Sequence, residues 1–333
     1  MTPVEDLEWI AVEEPSAVGR ARRAAMGLAS RLGFDEDRSG EVGLAATELA
    51  TNLHRHAAAG SVALRVRRSS RQAAVELVVT DAGPGIDDLD AVMADGHSSA
   101  GTLGVGLGVV RRLATSYDAH SVPGRGTVVV ATFWSGEAPP DEDAVALLTR
   151  PIAGEVVCGD AGAWLAADGV RTVIVADGLG HGPVAATAAR GAVRAFEATG
   201  PAEPADMLAA AHRALAGTRG AAVSVAQLDA AAGRVRFAGV GNVAGWIDDR
   251  EHRRRMVSFP GIVGHKRPRI RQVDYPLAPG ALVVLHSDGL SDKWAIDDYP
   301  GLRRHDGLVA AATLMRDAGI RHDDASVLVA RSP

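Results

Sequence analysis

Three strand-like apolar runs in this chain stop at an aspartate with a glycine close behind it. Residues 75–80 run into Asp81-Ala82-Gly83, residues 172–176 into Asp177-Gly178, and residues 281–286 into Ser287-Asp288-Gly289. Alternating and β-branched apolar residues favour strands. A carboxylate at such a strand end stands on the rim of a sheet. A glycine behind it lets a turn or a ligand approach the backbone. The first run and the last two lie on either side of a compositional break. Residues 136–143 read Gly-Glu-Ala-Pro-Pro-Asp-Glu-Asp and carry no hydrophobic period. Prolines and acidic residues in that pattern predict a linker.

The break sets the organisation. The chain has 333 residues, enough for two ordinary domains. The expected division is a front domain over residues 1–135, a linker over 136–150 and a back domain over 151–333. In the front part Val42, Ala45, Ala46, Leu49 and Leu53 recur at helical spacing and predict a helix over 39–57. Strands are expected over 62–66, 75–80 and 128–133, and a second helix over 105–117. The back part predicts strands over 172–176, 222–228, 234–238, 281–286 and 326–330, and helices over 183–197 and 205–216. Only 4% of residues are aromatic against 47% apolar, so Ala, Val and Leu must fill the cores.

Several classes are disfavoured at once. No apolar run approaches the roughly 20 residues of a membrane span, and the acidic N-terminal stretch lacks a signal-type apolar segment. A cytoplasmic location without a membrane partner is expected. A net charge of −6 argues against nucleic acid. The single cysteine, Cys158, allows no internal disulfide and no thiolate zinc cluster; it reads as a small core residue. The basic run Arg253-Arg254-Arg255 reads as a solvated loop.

The front part carries three chemical elements in order. Glu48 and Asn52 are four residues apart on the first helix and so share a face. A carboxylate there can act as a base, and an amide oxygen can help hold Mg²⁺; a solvated helix face would show the same pair. Asp81 can accept a hydrogen bond from an exocyclic amine, with Gly83, Pro84 and Gly85 shaping the turn; a plain turn would also use this chemistry. The run Gly101-Thr102-Leu103-Gly104-Val105-Gly106-Leu107-Gly108 opens the second helix. Glycine-rich backbone at a helix start offers N–H groups to phosphates. No Gly-Lys-Ser/Thr follows, so it is not a Walker loop.

The back part carries Asp160, Asp177, Asp288 and Asp323. Carboxylates gathered on one rim can hold two hard divalent cations, which activate water and stabilise in-line attack on phosphate. Any one Asp-Gly alone would read as a turn. His181, after the Asp177 motif, is either an acid for a leaving group or a loop residue.

The front elements together resemble the ATP-binding signature of the GHKL superfamily. Residues 48–52 resemble its N box, 81–85 its first glycine box, 101–108 its lid and second glycine box, and Gly126-Thr127 its late Gly-Thr. The stretches Glu48-Leu49-Ala50-Thr51-Asn52 and Asp95-Gly96-His97-Ser98-Ser99 are similar to RsbT-type switch kinases and their RsbW-like, anti-sigma relatives. The resemblance implies an α/β sandwich with a mixed sheet and helices on one face. It implies ATP and Mg²⁺ as cofactors, with Glu48 as base, Asn52 as Mg²⁺ ligand and Asp81 as adenine anchor. Thr127 would support adenine, and Gly83, Gly85, Gly101, Gly104, Gly106 and Gly108 would line the nucleotide. Its substrate would be a serine or threonine on a STAS-domain antagonist.

The back part resembles the metal-dependent PPM-type phosphatases of the SpoIIE branch, compact RsbX type, through Gly159-Asp160, residues 176–182, Ser287-Asp288-Gly289, Asp323-Asp324-Ala325-Ser326 and Gly239-Val240-Gly241-Asn242. That implies an αββα sandwich and two Mn²⁺ or Mg²⁺ ions. Asp177 would bridge them, with the Gly178 carbonyl, Asp160, Asp288 and Asp323 as further ligands; the choice of Asp323 over Asp324 stays open. The whole is expected to be a bifunctional partner-switching regulator in a stressosome-like, stress-response pathway. Its partners would be STAS proteins, with a sigma factor or a second phosphatase besides. Two alternatives keep the back phosphatase but make the front domain a sequestering or a gating module.

Overall fold

The computed structural model describes residues 4–69, 72–93, 103–137, 144–265, 268–320 and 322–332. Contacts divide the chain into two compact units. One joins Thr2–Asp141 to Tyr299–Arg316, the other Glu142–Asp298 to Asp317–Pro333.

The first unit contains β1 (Val4–Ala11), α1 (Pro15–Arg31), α2 (Glu36–His56), β2 (Ser61–Arg68), β3 (Ala73–Thr80), α3 (Leu89–Met93), α4 (Leu103–Leu113), β4 (Ser116–Val122) and β5 (Gly126–Trp134). The strand order is β1-β2-β3-β5-β4. Every described pair is antiparallel, where a mixed sheet was expected. Short turns join β2 to β3 and β4 to β5, and such hairpins force antiparallel neighbours.

Helix α1 begins at Pro15, whose missing N–H costs nothing in the first turn. It buries Ala17, Ala21, Ala25, Leu28 and Ala29. Helix α2 is capped by Asp35, whose carboxylate accepts the Arg38 N–H at 2.7 Å. Acidic residues in its first turn and basic ones in its last suit the helix dipole. The helices pack on one sheet face through Val62, Leu64, Val66, Val75, Leu77, Val129 and Ala131.

The other sheet face is buried too. There Asp6, Arg65 and Glu76 stand opposite one another across β1, β2 and β3 and form a buried ion-paired row. On edge strand β4, Ala119 joins the helix-side core, so Asp118 and His120 alternate onto this second face. There Asp118 accepts from His305 Nδ1 and from the Asp306 N–H, both at 2.7 Å. His120 Nε2 lies 3.0 Å from the Pro300 carbonyl. These bonds root Tyr299–Arg316 in this unit, although residues 151–333 were expected to form the back domain.

The second unit begins with β6 (Val145–Arg150), inside the stretch expected to be linker. Its Val145, Leu147 and Leu148 are buried; the neighbouring prolines and acids obscured that apolar run. There follow β7 (Asp160–Ala167), β8 (Val170–Gly178), α5 (Gly182–Thr199), α6 (Pro204–Ala214), β9 (Ala221–Asp229), β10 (Arg234–Val240), β11 (Ala244–Asp248), β12 (Arg253–Met256), β13 (Gln272–Pro276) and β14 (Leu282–His286). Helix α7 (Gly307–Ala318) and β15 (Ala325–Arg331) close the chain. Two antiparallel sheets result, ordered β13-β10-β9-β8-β7 and β12-β11-β14-β15-β6. Val173, Val175, Phe237, Val283, Leu285 and Leu328 share the core between them. Helices α5 and α6 cover the outer face of the first, packing Ala189, Phe196 and Met207 against Ile174 and Val225.

Candidate functional sites

In the first unit, α2 carries Glu48 and Asn52 one turn apart, both half-buried. Gly106 of α4 lies against them. A Cβ at Gly106 would stand 2.7 Å from Glu48 Oε2 and 3.3 Å from the Asn52 amide nitrogen. With no Cβ, glycine leaves Glu48 and Asn52 in these positions; any other residue would push the Glu48 carboxylate aside. The Asn52 Nδ2 is buried without a hydrogen-bond partner, so the amide has capacity left for a ligand.

Asp81 sits one residue beyond β3. Its Oδ1 accepts the Gly83 N–H at 2.7 Å, and its own N–H donates to the Thr127 carbonyl at 3.0 Å. Burial raises the Asp81 pKa, against the Gly83 N–H and the charge of Arg316. Arg316 also donates to the Asp81 carbonyl at 3.3 Å. Thr127 shares a 2.9 Å hydroxyl bond with Ser121. The Ala82 N–H reaches the Ala58 carbonyl at 2.9 Å, which brings the end of α2 to the end of β3. Gly85 takes φ +74° in the turn beyond. Gly104 and Gly108 lie on α4. Gly101 and residues 95–99 lie outside the described residues.

In the second unit the aspartates come in two pairs. Asp160 and Asp177 stand directly opposite each other on β7 and β8, so their side chains share a face. Asp288 and Asp323 flank the neighbouring strands β14 and β15, where Ser287 N–H donates to the Ser326 carbonyl at 3.1 Å. Asp160 is 6% exposed, and neither of its carboxylate oxygens makes a hydrogen bond of ordinary geometry, although the hydroxyls of Ser287 and Ser326 lie close enough to act on it.

Burial raises the pKa of Asp160, the hydroxyls of Ser287 and Ser326 work against it, and the charges of Asp324 and Asp288 add to the rise. Burial also raises Asp177, with the charges of Asp160, Asp288 and Asp323 behind it. Asp288 is raised by burial and by Asp323. Among the described residues no three His, Cys, Asp or Glu side chains are already drawn into ligand geometry. Mutual repulsion of unscreened carboxylates works against such closure. A buried carboxylate with no charged partner, set among like charges, fits a group of hard cations.

Asp323 and Asp324 differ. Asp324 is buried, and its two oxygens accept the Ile152 and Gly159 N–H groups at 2.8 and 2.9 Å. It fixes the approach to Asp160, while the half-buried Asp323 is the one whose charge acts on both Asp177 and Asp288. Gly178 is held close: a Cβ there would stand 2.1 Å from the Ala185 carbonyl of α5.

The comparisons follow this geometry. Residues 11–133 match the family model described as Histidine kinase-like ATPase domain. Residues 167–333, half of the chain, match that of Stage II sporulation protein E (SpoIIE). The chain belongs to the SpoIIE family, with an RsbT-like ATPase domain in front. Serine/threonine-protein kinase RsbT of Bacillus subtilis (strain 168) is 34% identical over 114 residues, covering 34% of this chain and 86% of RsbT. A solved chain described as "The bacterial stressosome: a modular system that has been adapted to control secondary messenger signaling" is 31% identical. It covers 56% of this chain and 98% of its own, with a TM-score of 0.53. RsbX in complex with magnesium is 19% identical, covers 56% of this chain and 94% of its own, and has a TM-score of 0.49. A histidine kinase-like ATPase domain related to RsbT and a SpoIIE-family domain thus share one chain.

Sequence reasoning missed some of what surrounds the SpoIIE-type site. Asn242 had a motif but no role; its Nδ2 donates to Asp288 Oδ2 at 2.5 Å. The run 253–255 is no solvated loop: it forms β12, and Arg253 lies between Trp246 and Trp294. Two tryptophan faces compete successfully with water for a guanidinium. His181 is exposed and lies 3.1 Å from Glu155. Cys158 is half-buried, outside the core.

Proposed function

We propose that this chain is a bifunctional partner-switching regulator. The front domain phosphorylates, and the back domain dephosphorylates, serine or threonine on STAS-domain antagonist proteins of a stressosome-like pathway in the cytoplasm. The observation that carries the reading is the set of four aspartates from two sheets, one of them buried with no charged partner. Asp177, the Gly178 carbonyl, Asp160, Asp288 and Asp323 would hold two Mn²⁺ or Mg²⁺ ions. Such ions supply the positive charge that polarises a phosphate ester and its attacking water. Asp324 keeps the Gly159 backbone in place beside Asp160.

In the front domain Glu48 would take the proton of the substrate hydroxyl. Asn52 would hold Mg²⁺, and Asp81, with Thr127 behind it, would accept from the adenine amine. Gly106 keeps α4 close to Glu48 and Asn52. Gly83, Gly85, Gly101, Gly104 and Gly108 would line the ATP. The kinase name of the RsbT relative and the stressosome description of the 31%-identical structure support STAS proteins as substrates.

The test uses the full chain with a phosphoserine peptide and Mn²⁺, and separately with ATP, Mg²⁺ and purified STAS proteins. Metal-dependent release of phosphate that disappears in Asp177→Asn, and phosphotransfer that disappears in Glu48→Gln, are expected. Phosphate release that persists in Asp177→Asn would sink the phosphatase assignment.

A further inference from the structure

Beside the aspartate cluster lies a cavity of about 270 Å³ whose walls are Gly241–Ala244 on one side and Arg255–Ser258 on the other. Asn242 in the first wall is the residue bonded to Asp288, so the cavity adjoins the reaction site. Arg255 in the second wall is held on the loop that follows Asp288. Its guanidinium pairs with Asp292 at 2.9 Å. Asp292 also accepts from Trp246 Nε1 at 3.3 Å and stands 3.3 Å from His286 Nε2.

Next to it, the Arg253 guanidinium lies 3.7 Å from the ring centres of both Trp246 and Trp294. It donates to the Asp292 carbonyl at 3.2 Å and to that of Trp294. This stack fixes β12 to the Asp288–Trp294 loop. Arg255 is nevertheless 57% exposed, and a guanidinium has five donors. Val257, at the same wall, is 52% exposed. The cavity falls just short of the volume of an ordinary small-molecule site, which suits side chains of a peptide. Strand β12 is the edge of its sheet, and an edge strand can pair with an extended segment.

We propose that this cavity receives the substrate chain flanking the phosphorylated serine or threonine, and that Arg255 pairs with an acidic residue of that flank. The inference rests on the phosphatase reading and adds its specificity determinant. Phosphate itself is the business of the aspartate cluster and its cations. Arg255, anchored one step away by Asp292, is left to read a neighbouring carboxylate. A pre-placed guanidinium gives such a pair its geometry.

The test compares three substrates on the full chain with Mn²⁺: p-nitrophenyl phosphate, a phosphoserine peptide with glutamates flanking the phosphoserine, and the same peptide with lysines there. The unsubstituted chain should favour the glutamate peptide by about tenfold in kcat/KM, mainly through KM. Arg255→Ala should erase the ratio and Arg255→Glu should reverse it. Val257→Asp, an independent surface change at the same wall, should lower it. The ratio is measured within each variant, so altered expression does not blur it. An acidic preference that survives Arg255→Glu, or none in the unsubstituted chain while p-nitrophenyl phosphate is turned over, overturns the role of Arg255 alone. No turnover of any of the three by the unsubstituted chain overturns the phosphatase reading, and this inference with it.

Discussion

Asp81 and Asp160 both mark the end of a buried sheet region, yet the protein treats their carboxylates in opposite ways. Asp81 is tied down: Gly83 donates to its side chain and Arg316 to its carbonyl. Asp160 has no hydrogen bond of ordinary geometry, only the nearby hydroxyls of Ser287 and Ser326, and faces three further aspartates. The first site is built from backbone and shape, and the Gly83 N–H and the charge of Arg316 offset part of the cost of burying its carboxylate. The second is built from charge and is incomplete until cations balance it. A site of the first kind is stable when empty, whereas one of the second kind stores destabilisation that binding relieves.

The largest effect that contrast predicts is on the back reaction. Asp177→Asn should lower Mn²⁺-dependent phosphopeptide turnover by at least roughly 100-fold, since Asp177 lies opposite Asp160 and feels Asp288 and Asp323 as well. Steady-state phosphate release measures this. A variant with near-normal turnover would mean that the aspartates are structural.

The next prediction sets function against stability. Asp160→Asn should abolish turnover yet raise the melting temperature of the chelator-treated protein. It removes a buried charge that only the hydroxyls of Ser287 and Ser326 offset, and about 1–3 kcal/mol is an upper range for such a group, at roughly 2–4 °C per kcal/mol. Excess Mn²⁺ should stabilise the unsubstituted chain more than this variant. Calorimetry with and without chelator decides it. A lower melting temperature would show that Asp160 is satisfied in the metal-free protein, and the contrast with Asp81 would fall.

Gly106→Ala sharpens the comparison from the front side. The added methyl would meet Glu48 Oε2 at 2.7 Å, and the carboxylate end is mobile enough to move aside. The cost should therefore appear in function rather than in folding. ATP affinity is expected to fall about tenfold, with the melting temperature nearly unchanged. Calorimetric titration with an ATP analogue measures it. Unchanged affinity would remove Gly106 from the nucleotide pocket.

The motifs were legible in the sequence because their chemistry is local. The shared face of Glu48 and Asn52 follows from helical spacing alone, and the Asp177 and Asp288 motifs follow from strands ending at Asp-Gly. What escaped was set by distant partners. Helix α1 went unread because its buried face is alanine, weakly apolar, and arginines at 20, 22, 23 and 31 fill the rest. The expected second helix ran to residue 117, but α4 stops at Leu113 and β4 starts at Ser116, since pairing with β5 outweighs local preference. In helix α7 only Thr313 breaks the apolar run 308–315, which is buried throughout, and so nearly uniform a run has no readable face. Asp324 could not be told from Asp323 by sequence, because what separates them is the pair of backbone N–H groups from Ile152 and Gly159.

The smallest predicted effect concerns a carboxylate that is answered more fully than Asp81. Burial pushes the pKa of Asp118 up, but the bonds from His305 and the Asp306 N–H outweigh it and hold the pKa below the ordinary 3.8. A depressed folded-state pKa means that the charged form stabilises the fold. That contribution is whole above the unfolded-state pKa and fades as pH falls through the folded one. Asp118→Asn should therefore cost about 1 kcal/mol at pH 6, and the difference from the unsubstituted chain should shrink as pH drops below about 4. Urea unfolding of both proteins across that range measures it. A difference that stays constant with pH would mean that Asp118 acts by shape alone, and that the charge bonds to His305 and Asp306 do not hold Tyr299–Arg316 in its unit.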